Sequence, residues 1–455
     1  MCGIAAFYGD NALFRTLVML LELQHRGQES VGISIFDNNT LKTEVRRGLV
    51  IENLDLIHKF NTDKITYAIG HVRYSTAGGY METGAQPIEV GDKLRIALAF
   101  NGNIMNYKEL ADMLGVRNPK SDSEVLAVLI HHLAKEHGDI VEAIKVLPRY
   151  VIGSYSLVVL TNEPRVVIAR DPRGFKPLAY TYDNELFVAA SETSALENIG
   201  SKEWNEVAPG QVISFDGKAV EVSNMFEKVT PTPCAFEYVY FSRPDSVFNG
   251  TQVHEARIRM GEILAELAPT KADVVIPVPD SGRSAAIGYS LKSGIPMNEG
   301  LMPNRYIGRS FIMPPFMRKF IASIKYGVIK SVVNGKKIVL IDDSIIRGTT
   351  MKSIVELLRN AGAREIHVRI ASPPVRYPCF MGIDFPSRRE LIASSMDINT
   401  ISRFIGADSL IYNTVYGLKK SIGLSNLCLA CYTGIYPFKH LDIEKLEKTF
   451  IRWAS

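Results

Sequence analysis

The stretch Ile338-Val339-Leu340-Ile341-Asp342-Asp343-Ser344-Ile345-Ile346-Arg347-Gly348-Thr349-Thr350 decides the fold of the half of the chain in which it lies. An apolar run ends in two adjacent carboxylates, and a turn of small residues then opens onto a helical pattern over 349–360. Two similar units flank it: the apolar run 273–278 precedes a Gly-Arg turn and a helix-like 284–292, and 366–371 supplies a further strand. Alternation of strand, turn and helix predicts an α/β domain on a parallel sheet. Such sheets bind ligands beyond the carboxyl ends of their strands, where Asp342 and Asp343 fall. Paired aspartates suit a ribose diol and a nearby divalent cation, since Mg²⁺ prefers oxygen donors. Amides and hydroxyls at Gly348, Thr349 and Thr350 stand where a helix N-terminus holds a phosphate, and Gly348 permits close backbone approach. The competing reading is a generic strand–turn–helix with a capping aspartate.

Upstream the rhythm differs. Residues 227–233 (Glu-Lys-Val-Thr-Pro-Thr-Pro) carry two prolines in three positions, a linker signal that divides the chain into 1–228 and 229–455. Two domains are expected, because 455 residues exceed one typical core. The first half has short strand-like runs at 33–36, 68–71, 96–100, 155–160 and 186–190, bounded by Gly, Asn or Asp. Leu13, Leu17, Leu20 and Leu21 have helical spacing, with Gly27 as a stop. Ser121-Asp122-Ser123-Glu124 has the pattern of a capping box. This predicts an α+β half of stacked, largely antiparallel sheets covered by helices. Asn101-Gly102 by itself reads as a hairpin turn.

Cys2 directly follows the initiator methionine. If Met1 is removed, thiol and α-amine share one residue, and an amine of pKa about 7.7–8.0 accepts the thiol's proton near neutrality. The thiolate is the attacking form. The plain alternative is a buried cysteine at a strand start.

Composition bounds the rest. With 46% hydrophobic and 22% charged residues and a net charge of +4, nothing suggests nucleic acid. Asp10 and Arg15 interrupt the apolar stretch near the terminus, and no long apolar run predicts a membrane span. Five scattered cysteines are not a secreted disulfide framework, so a reducing cytoplasm is expected. By spacing alone, Cys428-x-x-Cys431 suits zinc, redox chemistry or an iron–sulfur cluster.

The run 338–350 resembles the phosphoribosyl pyrophosphate motif of type I phosphoribosyltransferases, and Pro279-Asp280-Ser281-Gly282-Arg283 resembles their pyrophosphate loop. The resemblance implies substrate contacts from Asp280, Ser281, Gly282, Arg283, Asp342, Asp343, Ser344, Arg347, Gly348, Thr349 and Thr350. It implies Mg²⁺ near Ser281, Asp342 and Asp343. Three other segments, His25-Arg26-Gly27-Gln28-Glu29, Gly70-His71-Val72-Arg73-Tyr74-Ser75-Thr76 and Phe100-Asn101-Gly102-Asn103, resemble N-terminal-nucleophile glutamine amidotransferases. The resemblance implies that Cys2 is the nucleophile and that Asn101 and Gly102 would hold the oxyanion. It also implies that Arg73 would bind the glutamine α-carboxylate through its fork, that Asp122 would bind the α-ammonium, and that Gly27 would line the same site.

The two halves joined resemble the amidophosphoribosyltransferases, also called glutamine phosphoribosylpyrophosphate amidotransferases, over nearly the whole chain. The resemblance implies conversion of glutamine, phosphoribosyl pyrophosphate and water to 5-phosphoribosylamine, glutamate and pyrophosphate, which opens de novo purine synthesis. It further implies inhibition by purine nucleotides, a homotetramer, and a loop over 304–312, with Arg305 and Tyr306, that closes on the site. Family members commonly carry a lysine just before this loop's Asn-Arg-Tyr, whereas this chain has Pro303. Cys234, Cys379, Cys428 and Cys431 match the four ligands of the family's [4Fe–4S] branch. That branch often has a propeptide before the cysteine; with only Met1 ahead here, methionine removal is expected to suffice. A regulator on a phosphoribosyltransferase domain would have no use for Cys2, Arg73 and Asn101-Gly102. A glucosamine-phosphate synthase would lack Asp342-Asp343. An inactive paralogue would keep every motif.

Overall fold

The computed structural model describes residues 2–60, 65–74, 84–183, 186–304, 326–385, 387–439 and 441–451. Its first half is built on two antiparallel sheets. One runs in the order Asn205–Glu206, Ala179–Tyr182, Phe187–Ala190, Gly3–Tyr8, Tyr67–Arg73, Ser30–Asp37, Thr40–Arg47. The other runs Val220–Asn224, Gln211–Phe215, Val166–Arg170, Gly153–Thr161, Ile96–Ile104, Ile88–Val90.

Period-two alternation sorts the side chains into layers. In Gly3–Tyr8, Ile4 and Ala6 point between the sheets, where they join Ile69, Ala97, Ala99, Val158 and Leu160. Ala5 and Phe7 point the other way, onto Leu13, Leu17 and Leu20 of the helix Ala12–Glu22. On the outer face of the second sheet, Leu98, Phe100, Leu157 and Val159 pack against the helices Asp122–His137 and Ile140–Val146. Helices thus cover both sheets, the stacked α+β architecture expected.

Residues 227–233 have no regular structure. Beyond them lies a parallel sheet in the order Val274–Pro277, Lys337–Asp342, Glu365–Ile370, Ser409–Tyr412. Val274–Pro277 and Lys337–Asp342 are buried on both faces, which is why they read as near-continuous apolar runs, whereas Glu365–Ile370 alternates Glu, His and Arg with Ile and Val. Val275, Val339 and Ile341 meet Met260, Leu264, Ala285 and Tyr289 from the helices Val253–Leu267 and Arg283–Ser293. Ile276, Ile338 and Leu340 meet Ile354, Leu358 and Ile401 from Thr349–Asn360 and Ile398–Ile405. Pro303 ends a short strand, Leu301–Pro303, and lies opposite Tyr326 of Tyr326–Val328. Among the described residues, no helix is long and apolar enough to cross a membrane.

Candidate active site

Pairing of Gly3 with Val72 brings Cys2 to the Arg73 end of Tyr67–Arg73. The Cys2 N–H donates to Asn101 Oδ1 at 3.1 Å, its thiol donates to the Tyr74 carbonyl at 3.7 Å, and Arg26 Nε donates to its carbonyl at 3.0 Å. Asn101 and Gly102 do not form a hairpin turn. They lie inside the strand Ile96–Ile104, opposite Ser156 and Tyr155, because sheet pairing on the Gly153–Thr161 strand outweighs the local turn preference. Asn101 is fully buried, and its Nδ2 has no partner among the described residues. An orphaned buried donor beside a thiol is suited to a charge that develops there.

Arg73 is buried, and its Nη1 also has no partner among the described residues. Gly27 follows the short turn Gln24–Arg26, and a Cβ on it would fall 2.5 Å from the Arg73 backbone, so only glycine lets this loop press there. Asp122 opens the helix Asp122–His137 and accepts the Ile104 N–H at 3.0 Å. Burial pushes its carboxyl up to about 6, against that hydrogen bond and the Arg73 charge. The expected Ser121 cap is present, its Oγ accepting the Glu124 N–H at 3.2 Å, but the box is not closed, because Glu124 accepts the Lys120 N–H at 2.7 Å instead of that of Ser121. Burial, with Arg73 adding to it, holds the His71 imidazole down to about 3.

A cavity of about 340 Å³ opens at the carboxyl end of Lys337–Asp342. Ser281, Asp342, Asp343, Ser344, Arg347, Gly348, Thr349 and Thr350 all line it. Gly348 sits at φ 78° as the cap of Thr349–Asn360, a left-handed turn that suits glycine. The Asp343 N–H donates to Asp342 Oδ1 at 2.9 Å, and the Ser344 hydroxyl donates to Asp343 Oδ2. Burial pushes the Asp343 carboxyl up, although hydrogen bonds from Ser281 and Ser344 counter it. Arg347 is held by Glu390.

Three of the expected residues stand apart from this cavity. Asp280 is exposed, Arg283 pairs with it at 3.3 Å and with Glu299 at 2.9 Å, and Gly282 caps the helix Arg283–Ser293. Arg305 and Tyr306, with most of 304–312, lie outside the described residues, as do Ser75 and Thr76. The cavity also has walls without an expected role: Tyr74, Phe236, Tyr240, Asp384 and Phe385. Burial pushes the Asp384 carboxyl up to about 6. Tyr74 stands in the first-half motif and Phe236 beside Cys234, so chain order hid their meeting.

The remaining cysteines come together from three segments. Cys234 and Cys428 form a parallel β-bridge, in which the Cys428 N–H donates to Pro233 at 2.8 Å and the Ala235 N–H to Cys428 at 3.3 Å. Cys379 Sγ accepts the Met381 N–H at 3.4 Å, and the Cys431 carbonyl accepts N–H groups of Arg376 and Tyr377 at 2.9 and 3.1 Å. Burial pushes all four thiols up, Cys234 to about 11, and Cys234, Cys379 and Cys428 add to the effect on Cys431. All four are free thiols. Among the described residues, no three His, Cys, Asp or Glu side chains form a ready group for one metal ion.

The fold and these two sites define an enzyme class that joins a glutaminase half to a phosphoribosyltransferase half. Residues 71–198 match a glutamine amidotransferase domain and 251–372 a phosphoribosyl transferase domain. The chain is 46% identical to the amidophosphoribosyltransferase of Pyrococcus horikoshii, covering 97% of this chain and 98% of that one. It is 41% identical to the one from Bacillus subtilis, covering 96% and 94%. The solved structure of glutamine phosphoribosylpyrophosphate amidotransferase from B. subtilis, complexed with ADP and GMP, superposes with a TM-score of 0.87 at 40% identity over 97% of this chain and 98% of that one. The structure of the allosteric regulatory enzyme of purine biosynthesis gives 0.87 at 38% identity, over 98% and 99%. The chain belongs to the amidophosphoribosyltransferase family. It transfers the amide nitrogen of glutamine to phosphoribosyl pyrophosphate, giving 5-phosphoribosylamine, glutamate and pyrophosphate at the first step of de novo purine synthesis.

Proposed function

We propose that Cys2, with its amine freed, is the glutaminase nucleophile and that the Asp342–Asp343 cavity is where the nitrogen is used. The observation that carries this reading is Tyr74, whose carbonyl accepts the Cys2 thiol at 3.7 Å and which also forms part of the cavity wall. The two chemistries therefore share one wall.

The α-amine takes the thiol's proton; His71, held near 3, is too weak a base for that task at neutral pH. Arg73 holds the glutamine carboxylate and Asp122 its ammonium, with Gly27 closing the same site. The thiolate attacks the side-chain amide carbon while Asn101 and Gly102 hold the oxyanion. As the C–N bond breaks, the Cys2 α-ammonium returns its proton to the departing nitrogen, which leaves as ammonia, and water then frees glutamate from the thioester and restores the thiol. Ammonia in open water becomes mostly ammonium, which has no lone pair to donate; passage along the shared wall keeps it neutral.

In the cavity, ammonia attacks the anomeric carbon and pyrophosphate leaves. Asp342 and Asp343 orient the ribose hydroxyls, while Ser344, Arg347, Gly348, Thr349 and Thr350 hold phosphate. The loop Asp280-Ser281-Gly282-Arg283 reaches the cavity through Ser281 and would hold pyrophosphate there, with Arg283 leaving its carboxylate partners to do so, and Arg305 and Tyr306 would complete the contacts. Burial that penalises the Asp343 charge fits a cation-binding carboxylate. Ser281, Asp342 and Asp343 would hold Mg²⁺, which would supply electrostatic stabilisation of the departing charge.

Cys234, Cys379, Cys428 and Cys431 would hold a [4Fe–4S] cluster, tying three distant segments together. Cys234, Cys428 and Cys431 are buried and Cys379 partly so, and the other three lie close enough to act on the Cys431 thiol, an arrangement that would suit the four protein ligands of a cubane. The unit boundary is read at 228/229. The B. subtilis relative is complexed with ADP and GMP, which supports purine nucleotides as ligands, and by this reading inhibitors, of this chain. A homotetramer in the cytoplasm completes the reading. Cys2→Ala is the test: it should abolish turnover with glutamine and leave turnover with high free ammonia. Loss of both in a folded variant would refute the division of labour.

A further inference from the structure

We infer that Glu237, carried on the cysteine-bearing segment of the second half, is a positioning residue for the glutaminase nucleophile and acts through Arg26; this rests on the reading of Cys2 above. Arg26 is wholly buried, and its Nε donates to the Cys2 carbonyl at 3.0 Å. The rest of its guanidinium is gripped from behind. Nη2 donates to Glu237 Oε1 at 3.0 Å and Oε2 at 3.2 Å, Nη1 donates to Glu237 Oε2 at 3.2 Å, and Nη1 also pairs with Glu192.

The two acids are themselves fixed. Glu192 accepts from the Arg243 N–H at 2.8 Å and from Ser246 Oγ at 2.7 Å, and it contacts His25 Nε2 at 2.7 Å. Glu237 accepts from Ser242 Oγ at 3.0 Å and faces Lys176 Nζ at 3.8 Å. Arg26, Glu192, Glu237 and Lys176 are each at most 1% exposed. Burial would push Glu192 up, but His25 and Arg26 hold it well below the usual carboxylate range, so it stays charged.

A buried ion network contributes little net stability, because desolvation cancels most of the attraction. What it fixes is direction. A bidentate fork sets the guanidinium plane, and that plane sets the line from Nε to the Cys2 carbonyl. A residue whose amine is free has lost the peptide plane before it. Its thiol is then oriented by the contacts at its nitrogen, its carbonyl and the strand that follows. Arg26 supplies the carbonyl contact, and Glu237 lies beyond 227–233, so the first half by itself lacks one jaw of the clamp. Arg73 and Asp122, the charged contacts expected for glutamine, belong to other segments, and only Gly27 adjoins Arg26, so a slackened clamp should slow the chemistry far more than it weakens binding.

The test uses full-length Glu237→Gln, Glu237→Asp and the milder Ser242→Ala. Each is assayed with glutamine, with free ammonia, and for the rate at which iodoacetamide alkylates Cys2, read by peptide mass spectrometry. Glu237→Gln should lower the glutamine kcat about tenfold and leave KM within about twofold, since a displacement well under 1 Å suffices for that loss. Cys2 alkylation should slow with it, and ammonia-dependent turnover should hold. Glu237→Asp should recover part of the loss, and Ser242→Ala should show a smaller loss of the same kind if the Gln variant does not fold. Parallel loss of both nitrogen sources would overturn the inference, as would unchanged glutamine turnover in folded Glu237→Gln and Ser242→Ala. Cys2→Ala run alongside separates the two claims: if it still uses glutamine, the reading of Cys2 itself fails.

Discussion

Replacing Asp122 by Asn should make the protein more stable and at the same time unable to use glutamine. The carboxyl is pushed from its ordinary 3.8 up to about 6 by burial, so its charged form is costly in the folded chain when no ammonium faces it. A tenfold change in acidity is worth about 1.4 kcal/mol, which caps the cost near 3 kcal/mol. Asp122 keeps part of its surface open to solvent, which trims the expected gain to about 1–2 kcal/mol. Asn keeps an oxygen for the Ile104 N–H, so the helix start loses no hydrogen bond. The sign follows from linkage: a carboxyl raised in the folded state destabilises above about 6 and costs nothing below 3.8, where both states are protonated. The advantage of Asp122→Asn should therefore be full at pH 8 and vanish near pH 4. Thermal unfolding in a Cys2→Ala background, where glutamine is not consumed, would read it, at roughly 2–4 °C per kcal/mol for a unit of this size. Glutamine should then stabilise the protein that keeps Asp122 and not the Asp122→Asn variant, because the ligand's ammonium is what offsets the buried charge. In the active background, kcat/KM for glutamine should fall by about two to three orders of magnitude, the loss typical when one partner of a buried pair is removed. An Asp122→Asn variant less stable at pH 8 than its parent, or one that keeps glutamine turnover within tenfold, would refute the reasoning.

The same group sets a pH dependence: the KM for glutamine should climb as pH falls through about 6, where Asp122 takes a proton and releases its hold on the ammonium. The double variant Asp342→Asn with Asp343→Asn keeps size and removes two charges beside a cation. Pyrophosphate release should collapse with either nitrogen source, and ammonia-dependent turnover that survived would make the acidic turn structural. Anaerobically purified protein should be brown with four irons and four sulfides per chain, and oxygen should bleach it. Cys431→Ser should lose the iron and unfold more readily. Zinc in place of iron under strict anaerobiosis would refute the cluster and leave the enzyme reading intact.

Local signals were legible wherever one short stretch of chain carries both the pattern and the consequence. The helix over 349–360 follows from its apolar spacing and the glycine before it, and the strand ending at Asp342 from an apolar run that only a sheet covered on both faces can bury. Ser121 announces its helix because a cap bonds only three residues ahead. Motifs gathered the catalytic residues half by half, since each loop's chemistry is written in consecutive positions. Asn101-Gly102 shows where this stops: a turn signal in isolation became mid-strand once Gly153–Thr161 lay alongside. Tyr74 on the wall of a cavity built by the other half, and Glu237 clamping Arg26 across 211 residues of chain, belong to no local pattern. Sequence determined which groups could do chemistry, because propensity and motif act over a few residues. Only the tertiary structure decided which of them face one another, because burial of charge and sharing of a wall are set by packing between segments that the chain keeps apart.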